Sequence, residues 1–274
     1  MLQEKEFALT ERQKRELEYH REYARQHTAL LKKPFSWDVL EHPSDRWWNA
    51  YWQMYDHLTK LKLEGKRVLV VGCGFGDDAL RLAKLGATVF AFDLCPDSLN
   101  IAKALAIREG LSVTFDNMAA ESLAYEDNFF DVIIARDILH HVDIPLAIRE
   151  IKRVAKPGGL LIVNEIYSHS ITNRIRQSAF VERFLYPKMQ RLIYGADTPY
   201  ITQDERKLTE LDIEEIVKNS NKPNSEKYYN FLVTRIVPDR FVAFSKVDRL
   251  LLIMLKPIAH FLAGRIFFSI QIAK

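Results

Sequence analysis

Short apolar runs that alternate with amphipathic stretches are the feature that most restricts the fold of this 274-residue chain. Each run has the length of a buried strand, and the stretches between the runs carry apolar residues at helical spacing. Strands that alternate with helices form βαβ units, in which the strands are parallel. The pattern therefore predicts an α/β fold with a doubly wound parallel sheet. The predicted strands are VLVVG (68–72), TVFAFD (88–93), VTFD (113–116), FDVIIA (130–135) and LLIVNE (160–165).

The same alternation divides the chain into predicted regions. Residues 1–64 combine an amphipathic helix, ended by Pro34, with many aromatic residues, and we expect them to form an N-terminal helical cap. Residues 65–166 form the α/β core. After Glu165 the regular pattern stops for about 60 residues, which is too long for an ordinary connection and indicates an insertion after strand five, residues 167–227.

The last region, residues 228–274, returns to regular structure. It is predicted to contain a sixth strand at 228–237, an apolar helix at 240–263 and a final strand of alternating residues from Arg265 onward. Within the insertion, the predicted elements are a basic and aromatic helix at 171–193 and an acidic helix at 210–219 that is capped near Thr209.

Charge and cysteine content exclude several classes of protein. Lys and Arg total 39 against 36 Asp and Glu, and the resulting net charge of +3 is too small for a dedicated nucleic-acid binder. Two cysteines are too few for a zinc site or a disulfide framework, so we expect no metal. The N-terminal residues lack the apolar stretch of a secretory signal, which favours a cytoplasmic protein.

Glycines and an acidic residue predict a nucleoside-binding site. The first strand runs into Gly72-Cys73-Gly74-Phe75-Gly76, where glycine lets the backbone turn tightly and approach a ligand closely. Asp93 ends the second strand, where a carboxylate can accept hydrogen bonds from both ribose hydroxyls. Dinucleotide oxidoreductases usually carry G-x-G-x-x-G. This chain has G-x-G-x-G followed by Asp77 and Asp78, which suit a cationic ligand better than a pyrophosphate.

Several segments occur in order between residues 66 and 166: VLVVGCGFG, FDLCPDSLNIAK, AAESLAYEDNFFDVII, DILHHV and VAKPGGLLIV. Together they resemble the class I S-adenosylmethionine-dependent methyltransferases. In that family the corresponding segments are the glycine loop, the ribose-binding turn, the adenine-side segment, the segment after strand four and the entry to strand five. A glycine loop alone is a weak signal, whereas five segments in register are specific.

The resemblance implies a Rossmann-like, seven-stranded sheet whose last strand is antiparallel, with S-adenosylmethionine as cofactor across the carboxyl ends of strands one to four. It also implies roles for individual residues. Gly72, Gly74 and Gly76 lie along the methionine part of the cofactor, and the chain at Arg136 faces the methionine amine. Asp93 holds the ribose, Leu94 covers the adenine, and Ala120 offers its backbone amide to the adenine. The family often has Asp where this chain has Ala119. Either Asp116 or Asn117 replaces it, or that hydrogen bond to the adenine is absent.

His140 and His141 follow strand four, at the sheet edge where the methyl group is expected. Either one is therefore a candidate catalytic base, although both could instead cap a helix or pack against the sheet rim. The next candidates are Asp137, Glu165 and His20. His20 and His27 are seven residues apart, which does not fit the i, i+4 spacing of metal-binding histidines on a helix.

These observations favour methyl transfer to a small-molecule or lipid-like acceptor, with an oxygen as the preferred acceptor atom. The alternatives are C- or N-methylation, methylation of RNA or protein, and non-catalytic binding of the cofactor on the same fold. The low net charge and the absence of an appended RNA-binding motif disfavour RNA as a partner.

The apolar helix predicted at 240–263 is relevant to the kind of acceptor that the protein uses. Lys256, Pro257 and Arg265 divide the apolar residues into pieces shorter than the roughly 20 residues that cross a bilayer. Apolar residues flanked by Lys and Arg instead suit peripheral contact with an anionic membrane, and the helix at 171–193 could join them as a lid. The alternative is a cap that packs on the N-terminal helix or on a second subunit of an oligomer.

Overall fold

The computed structural model describes residues 9–176, 178–185, 206–218, 220, 223, 225–234 and 237–273. Within these residues the strands form a seven-stranded sheet in the order β3-β2-β1-β4-β5-β7-β6. The strands are β1 (Arg67–Val71), β2 (Thr88–Asp93), β3 (Val113–Asn117), β4 (Phe130–Arg136), β5 (Ala155–Ile166), β6 (Ser225–Tyr229) and β7 (Arg265–Gln271).

Strand directions match the doubly wound prediction. β1 pairs in parallel with β2 on one side and β4 on the other, and β4 pairs in parallel with β5. β7 is antiparallel to both of its neighbours, β5 and β6. The predicted sheet with an antiparallel last strand is therefore confirmed. Because the strand order reverses between β1 and β4, the carboxyl ends of these strands flank a crevice where ligands bind in folds of this type.

Helices cover the sheet and its rim. They are α1 (Glu11–Gln26), α2 (Asp38–Glu41), α3 (Ala50–Leu58), α4 (Asp77–Lys84), α5 (Pro96–Arg108), α6 (Ile144–Val154), α7 (Ser170–Arg176), α8 (Glu210–Val217), α9 (Val242–Met254) and α10 (Ala259–Leu262). A capping box formed by Thr10 and Gln13 starts α1, and a second one formed by Thr209 and Asp212 starts α8. None of the helices in these described ranges is both long and apolar enough to cross a bilayer.

The sheet is buried on both faces. In β1, Leu69 and Val71 belong to one hydrophobic cluster, which includes Ile148 and Ile151 of α6, whereas Val68 belongs to a second cluster on the other face. Side chains of a strand point alternately to opposite faces, so a strand that is apolar at every position must be covered on both. This explains why the core strands are visible in the sequence as continuous apolar runs.

The outer elements differ from the sequence predictions. The sixth strand, predicted at 228–237, spans Ser225–Tyr229, because Asn230 and Thr234 have φ angles of 61° and 63° that extended backbone does not allow. The apolar helix, predicted at 240–263, ends as α9 at Met254 and continues as a 3₁₀ turn and α10, because Pro257 cannot continue an α-helix.

The insertion differs as well. Of the basic and aromatic helix predicted at 171–193, the structure has α7 up to Arg176 and a π-helical turn at Val181–Leu185, while residues 186–193 lie outside the described residues. The acidic helix predicted at 210–219 is α8, Glu210–Val217.

Candidate active site

A cavity of about 450 Å³ opens at the carboxyl ends of β1, β2 and β4, beneath α1. Its walls come from α1, the glycine loop, the segments after β2, β3 and β4, and the start of β7. The lining residues used below are Gln13, Glu16, His20, Tyr23, Gly72, Gly74, Phe75, Asp93, Leu94, Ala119, Ala120, Glu121, Arg136, Asp137, His140, His141 and Arg265. His140, His141 and all of the predicted cofactor-binding residues except Gly76 line the cavity.

The glycine loop has a shape that other residues would not tolerate. Gly72 has a φ of 60°, and a Cβ at this position would lie 2.4 Å from the Ile138 side chain. Gly76 has a φ of 86°, and a Cβ there would lie 2.9 Å from that of Ala102. Positive φ and close approach together explain why glycine is needed at both positions. Gly76 therefore shapes the loop from behind the cavity wall.

Asp93 fixes the loop to the end of β2. One carboxylate oxygen accepts a hydrogen bond from the Gly74 amide at 2.8 Å, and the other accepts one from the Cys95 amide at 2.9 Å. Each carboxylate oxygen can accept two hydrogen bonds, so these backbone contacts leave room for two ribose hydroxyls. Leu94 follows directly in the cavity wall. The arrangement fits a nucleoside whose ribose lies against β2.

The side of the cavity that the resemblance assigns to the adenine is formed by Ala119, Ala120 and Glu121. Asp116 accepts a hydrogen bond from the Tyr125 hydroxyl at 2.7 Å, and the Asn117 amide donates to backbone carbonyls of residues 93 and 94. In the described part of the chain, neither Asp116 nor Asn117 lines the cavity. Of the two alternatives for Ala119, this arrangement favours an absent hydrogen bond to the adenine, and the question stays a prediction.

Arg136 is held in the wall by acidic groups. Its guanidinium donates to Asp78 at 2.6 Å and to Asp137 at 3.1 Å, and lies 5.0 Å from the centre of the Tyr51 ring. Burial alone would lower the pKa of Arg136, but Asp78 and Asp137 outweigh it and raise that pKa well above its ordinary value. Burial, together with Asp78, also raises the pKa of Tyr51 to about 12.

Asp137 lies between two guanidinium groups. Arg265 donates to it at 2.6 Å, and Arg136 contacts its other oxygen. Burial raises the pKa of Asp137, but Arg265 and Arg136 outweigh burial, and the net effect is a lowered pKa. An aspartate stabilised in its charged form takes up a proton reluctantly, so this environment disfavours Asp137 as a catalytic base.

Each of the two consecutive histidines faces a carboxylate. His140 Nδ1 lies 2.7 Å from Glu165 Oε2, and the other oxygen of Glu165 accepts hydrogen bonds from the Ile138 and Leu139 amides. His141 Nδ1 lies 3.1 Å from Glu16 Oε2. Glu165 is fully buried and does not line the cavity, so it is placed to orient His140 and not to contact an acceptor itself.

α1, part of the region predicted as an N-terminal cap, covers the cavity, and the sequence analysis named His20 but not Gln13, Glu16 or Tyr23 among the site residues. Tyr23 stacks on Phe75 of the glycine loop with the ring centres 5.6 Å apart, and Gln13 donates a hydrogen bond to Glu121 on the adenine side. His20 and Glu16 also face the cavity from α1. The available signal was the i, i+4 spacing of Glu16 and His20, which places both residues on one face of the helix.

Comparison with known proteins connects this geometry to a family. Residues 69–163 match the family model of a methyltransferase domain. A ubiquinone biosynthesis O-methyltransferase of Cereibacter sphaeroides is 37% identical over 107 residues, which are 39% of this chain and 43% of the relative. The corresponding protein of Xanthomonas euvesicatoria is 38% identical over 110 residues, which are 39% of this chain and 46% of the relative. The match thus spans less than half the length of either relative.

Solved structures share the fold at lower identity. The [4+2]-cyclase SpnF aligns with a TM-score of 0.52 and 23% identity over 82% of this chain and 83% of SpnF. The PH0226 protein of Pyrococcus horikoshii aligns with a TM-score of 0.53 and 16% identity over 87% of this chain and 96% of its own. These likenesses show the fold alone. The matched family model and the relatives show that residues 69–163 form a methyltransferase domain of the S-adenosylmethionine-dependent class, for which S-adenosylmethionine is the cofactor.

Proposed function

We propose that the protein transfers the methyl group of S-adenosylmethionine to a hydroxyl oxygen of a small or lipid-like acceptor. The observation that carries this proposal is the His140–Glu165 pair, a histidine in the cavity wall whose Nδ1 is held at 2.7 Å by a buried carboxylate. A hydroxyl must lose its proton as its oxygen is methylated, and an oriented histidine is the usual base for such a step. The names of the relatives described above are consistent with oxygen as the acceptor atom.

The proposed cofactor position follows the cavity wall. The methionine part passes Gly72, Gly74 and the turn shaped by Gly76, its amine faces the chain at Arg136, and Asp93 accepts from the ribose hydroxyls. Leu94 and Ala120 lie beside the adenine. Asp77 and Asp78 lie at the start of α4 outside the cavity wall, where Asp78 pairs with Arg136 and so holds the wall that the methionine amine is proposed to face.

The chain's own residues then have defined tasks. When bound, S-adenosylmethionine supplies an electrophilic methyl group on a positively charged sulfur. The cavity holds the acceptor oxygen in line with that methyl group, which replaces a bimolecular encounter by a fixed geometry. His140 takes the hydroxyl proton through Nε2, the ring nitrogen that does not face Glu165. Glu165 stabilises the resulting imidazolium, and α1 limits the access of water.

The proposal is tested by turnover with chemically distinct acceptors. The purified protein is incubated with S-adenosylmethionine and hydroxylated aromatic compounds with and without an apolar tail, and S-adenosylhomocysteine is measured by mass spectrometry. We expect turnover and a product whose new methyl group is bonded to oxygen. Methylation of RNA, protein, carbon or nitrogen in preference to these hydroxyls would contradict the proposal. Tight cofactor binding without turnover on any acceptor would favour a non-catalytic binding protein.

Replacing Asp93 by Ala should weaken S-adenosylmethionine binding roughly 10- to 150-fold, because the loss of contacts to both ribose hydroxyls costs about 1.5 to 3 kcal/mol. Isothermal titration calorimetry measures the change. Asp97→Ala is the matched control, since Asp97 lies four residues further along and pairs with Arg21 outside the cavity. An unchanged affinity in a folded Asp93→Ala protein would contradict the proposed ribose position.

We further propose that the protein contacts anionic membranes through α9. Ser245, Asp248 and Leu252 are buried, and Asp248 accepts hydrogen bonds from two backbone amides, so this side of the helix packs on the fold. The other side exposes large apolar residues: Val242, Val247, Leu250, Ile253 and Met254. The basic residues Arg240, Lys246 and Lys256 are exposed along the same segment. Exposed apolar residues accompanied by basic ones suit the interface of an anionic membrane.

Liposome co-sedimentation tests this surface. We expect the protein to pellet with anionic vesicles and to stay in the supernatant with neutral ones. Ile253→Glu should reduce binding by placing a charge in the apolar face. Ile107→Glu on α5 is the matched control, because Ile107 is 81% exposed on a different surface. Failure to pellet with either vesicle, together with a dimer in solution that Ile253→Glu dissociates, would assign the face to a second copy of the chain.

A further inference from the structure

A carboxylate and two imidazoles meet where α1 crosses the segment after β4. Glu16 Oε2 lies 3.1 Å from His141 Nδ1 and 3.7 Å from His20 Nε2. One ligand atom from each of the three residues lies within 4.8 Å of the other two. Glu16 and His141 are buried and His20 is half-buried, so the cluster is part of the cavity wall and not a surface feature. From this juxtaposition we propose that Glu16, His20 and His141 bind a divalent transition-metal ion.

The distances suit such an ion. Zinc binds imidazole nitrogen and carboxylate oxygen at about 2.0 to 2.2 Å, and tetrahedral ligands at this distance are separated from each other by about 3.3 to 3.6 Å. The two distances from Glu16, 3.1 and 3.7 Å, lie on either side of this range, and all three ligand atoms lie within 4.8 Å of one another, so side-chain adjustments of about an ångström bring the three groups to tetrahedral separations. Two histidines with one carboxylate form a ligand set typical of zinc and of non-haem iron.

The positions of the ligands are set by the fold. Glu16 and His20 lie one turn apart on α1 and face the same way. α1 is tied to the rest of the site by hydrogen bonds from Gln13 to Glu121 and from Arg12 to the His140 carbonyl. The His141 ring packs against that of His140, with the ring centres 4.0 Å apart. Ligands that are held in place before binding lose little conformational entropy when a metal arrives.

The expectation of no metal site rested on the two cysteines and on the spacing between His20 and His27. Both are local features, and they cannot reveal a ligand set drawn from two distant segments. His141 is 125 residues from Glu16 in the chain, as their residue numbers show, and only the packing of α1 over the cavity brings them together.

Three protein ligands leave one coordination position of a tetrahedral ion open. All three residues line the cavity, so that position is accessible from the space where the acceptor is expected. An acceptor hydroxyl can fill it, and the ion would then hold the acceptor oxygen in place. This consequence rests on the proposed O-methylation, whereas the binding of the ion does not.

Zinc binding by the full chain tests the site directly. The protein is stripped with a chelator, and Zn²⁺ is titrated in competition with a chromophoric chelator. We expect one Zn²⁺ per chain. His20→Ala and Glu16→Gln should each lower the affinity by roughly 100-fold or more, since changes to residues that only hydrogen-bond a metal ligand already lower it about 10- to 100-fold. Co²⁺ in place of Zn²⁺ should give visible absorption bands that both variants lose. His42→Ala is the matched control, because His42 is exposed and outside the cluster.

Binding of S-adenosylmethionine, measured on the same samples, shows whether each protein is folded and keeps this test separate from the proposed function. His20 is half-buried, so His20→Ala decides the question if the Glu16 variant does not fold. Wild-type protein that binds the cofactor but no stoichiometric Zn²⁺ would overturn the metal site and leave methyl transfer untouched. Zinc binding of equal strength in wild type, His20→Ala and His42→Ala would also overturn it.

Discussion

Replacing His140 by Ala should lower turnover about 10²- to 10⁴-fold while leaving the affinity for S-adenosylmethionine nearly unchanged, because the variant loses the base but keeps the cofactor contacts. Single-turnover measurements with saturating cofactor isolate the methyl-transfer step. Calorimetry on the same variant measures cofactor affinity. His42→Ala, which removes an exposed histidine, is the matched control and should retain wild-type turnover.

His141→Ala should behave differently from His140→Ala in zinc binding. His141 faces Glu16 and not Glu165, so His141→Ala should alter zinc binding, an effect that we do not expect from His140→Ala. Normal turnover in His140→Ala would show that His140 is not the base, and a large loss in His141→Ala that persists in metal-free protein would then assign the base to His141. Normal turnover in both variants would show that neither histidine is the base.

The core strands could be predicted because their burial is visible in short stretches of the sequence. Every residue of β1 from Val68 to Val71 is buried, so the strand is visible as an unbroken apolar run. The glycine loop was visible for a related reason, since Gly72 and Gly76 adopt positive φ angles in tight surroundings. The sixth strand was predicted poorly, because an edge strand has fewer buried positions and its end depends on the turn at Asn230.

The site was only partly predictable. The residues at the strand ends, such as Asp93 and His140, could be placed because the carboxyl ends of parallel strands meet at one edge. Glu165 could also have been placed near His140, because β4 and β5 are neighbours and Arg136 pairs with Asn164 in register. The contact between Glu16 and His141 had no such signal, because it depends on how α1 packs over the cavity.

Replacing Glu165 by Gln should lower turnover about 10²- to 10⁴-fold without unfolding the protein. The amide oxygen of Gln can still accept the hydrogen bonds from Ile138 and Leu139. Its amino group, however, would face His140 Nδ1, which must then act as the acceptor. The proton of neutral His140 is thereby moved to Nε2, and the nitrogen needed as a base is blocked.

A purely structural role for Glu165 predicts a different outcome. Because the side chain is fully buried, Glu165→Ala leaves backbone donors unsatisfied at a cost of about 1 to 3 kcal/mol each and should lower thermal stability, whereas Glu165→Gln should not. Nitrogen NMR of the His140 ring reports the tautomer directly. Since both residues act on the same proton, the double variant His140→Ala with Glu165→Gln should be no slower than His140→Ala alone. Full turnover in a folded Glu165→Gln protein, or additive losses in the double variant, would show that Glu165 does not position His140.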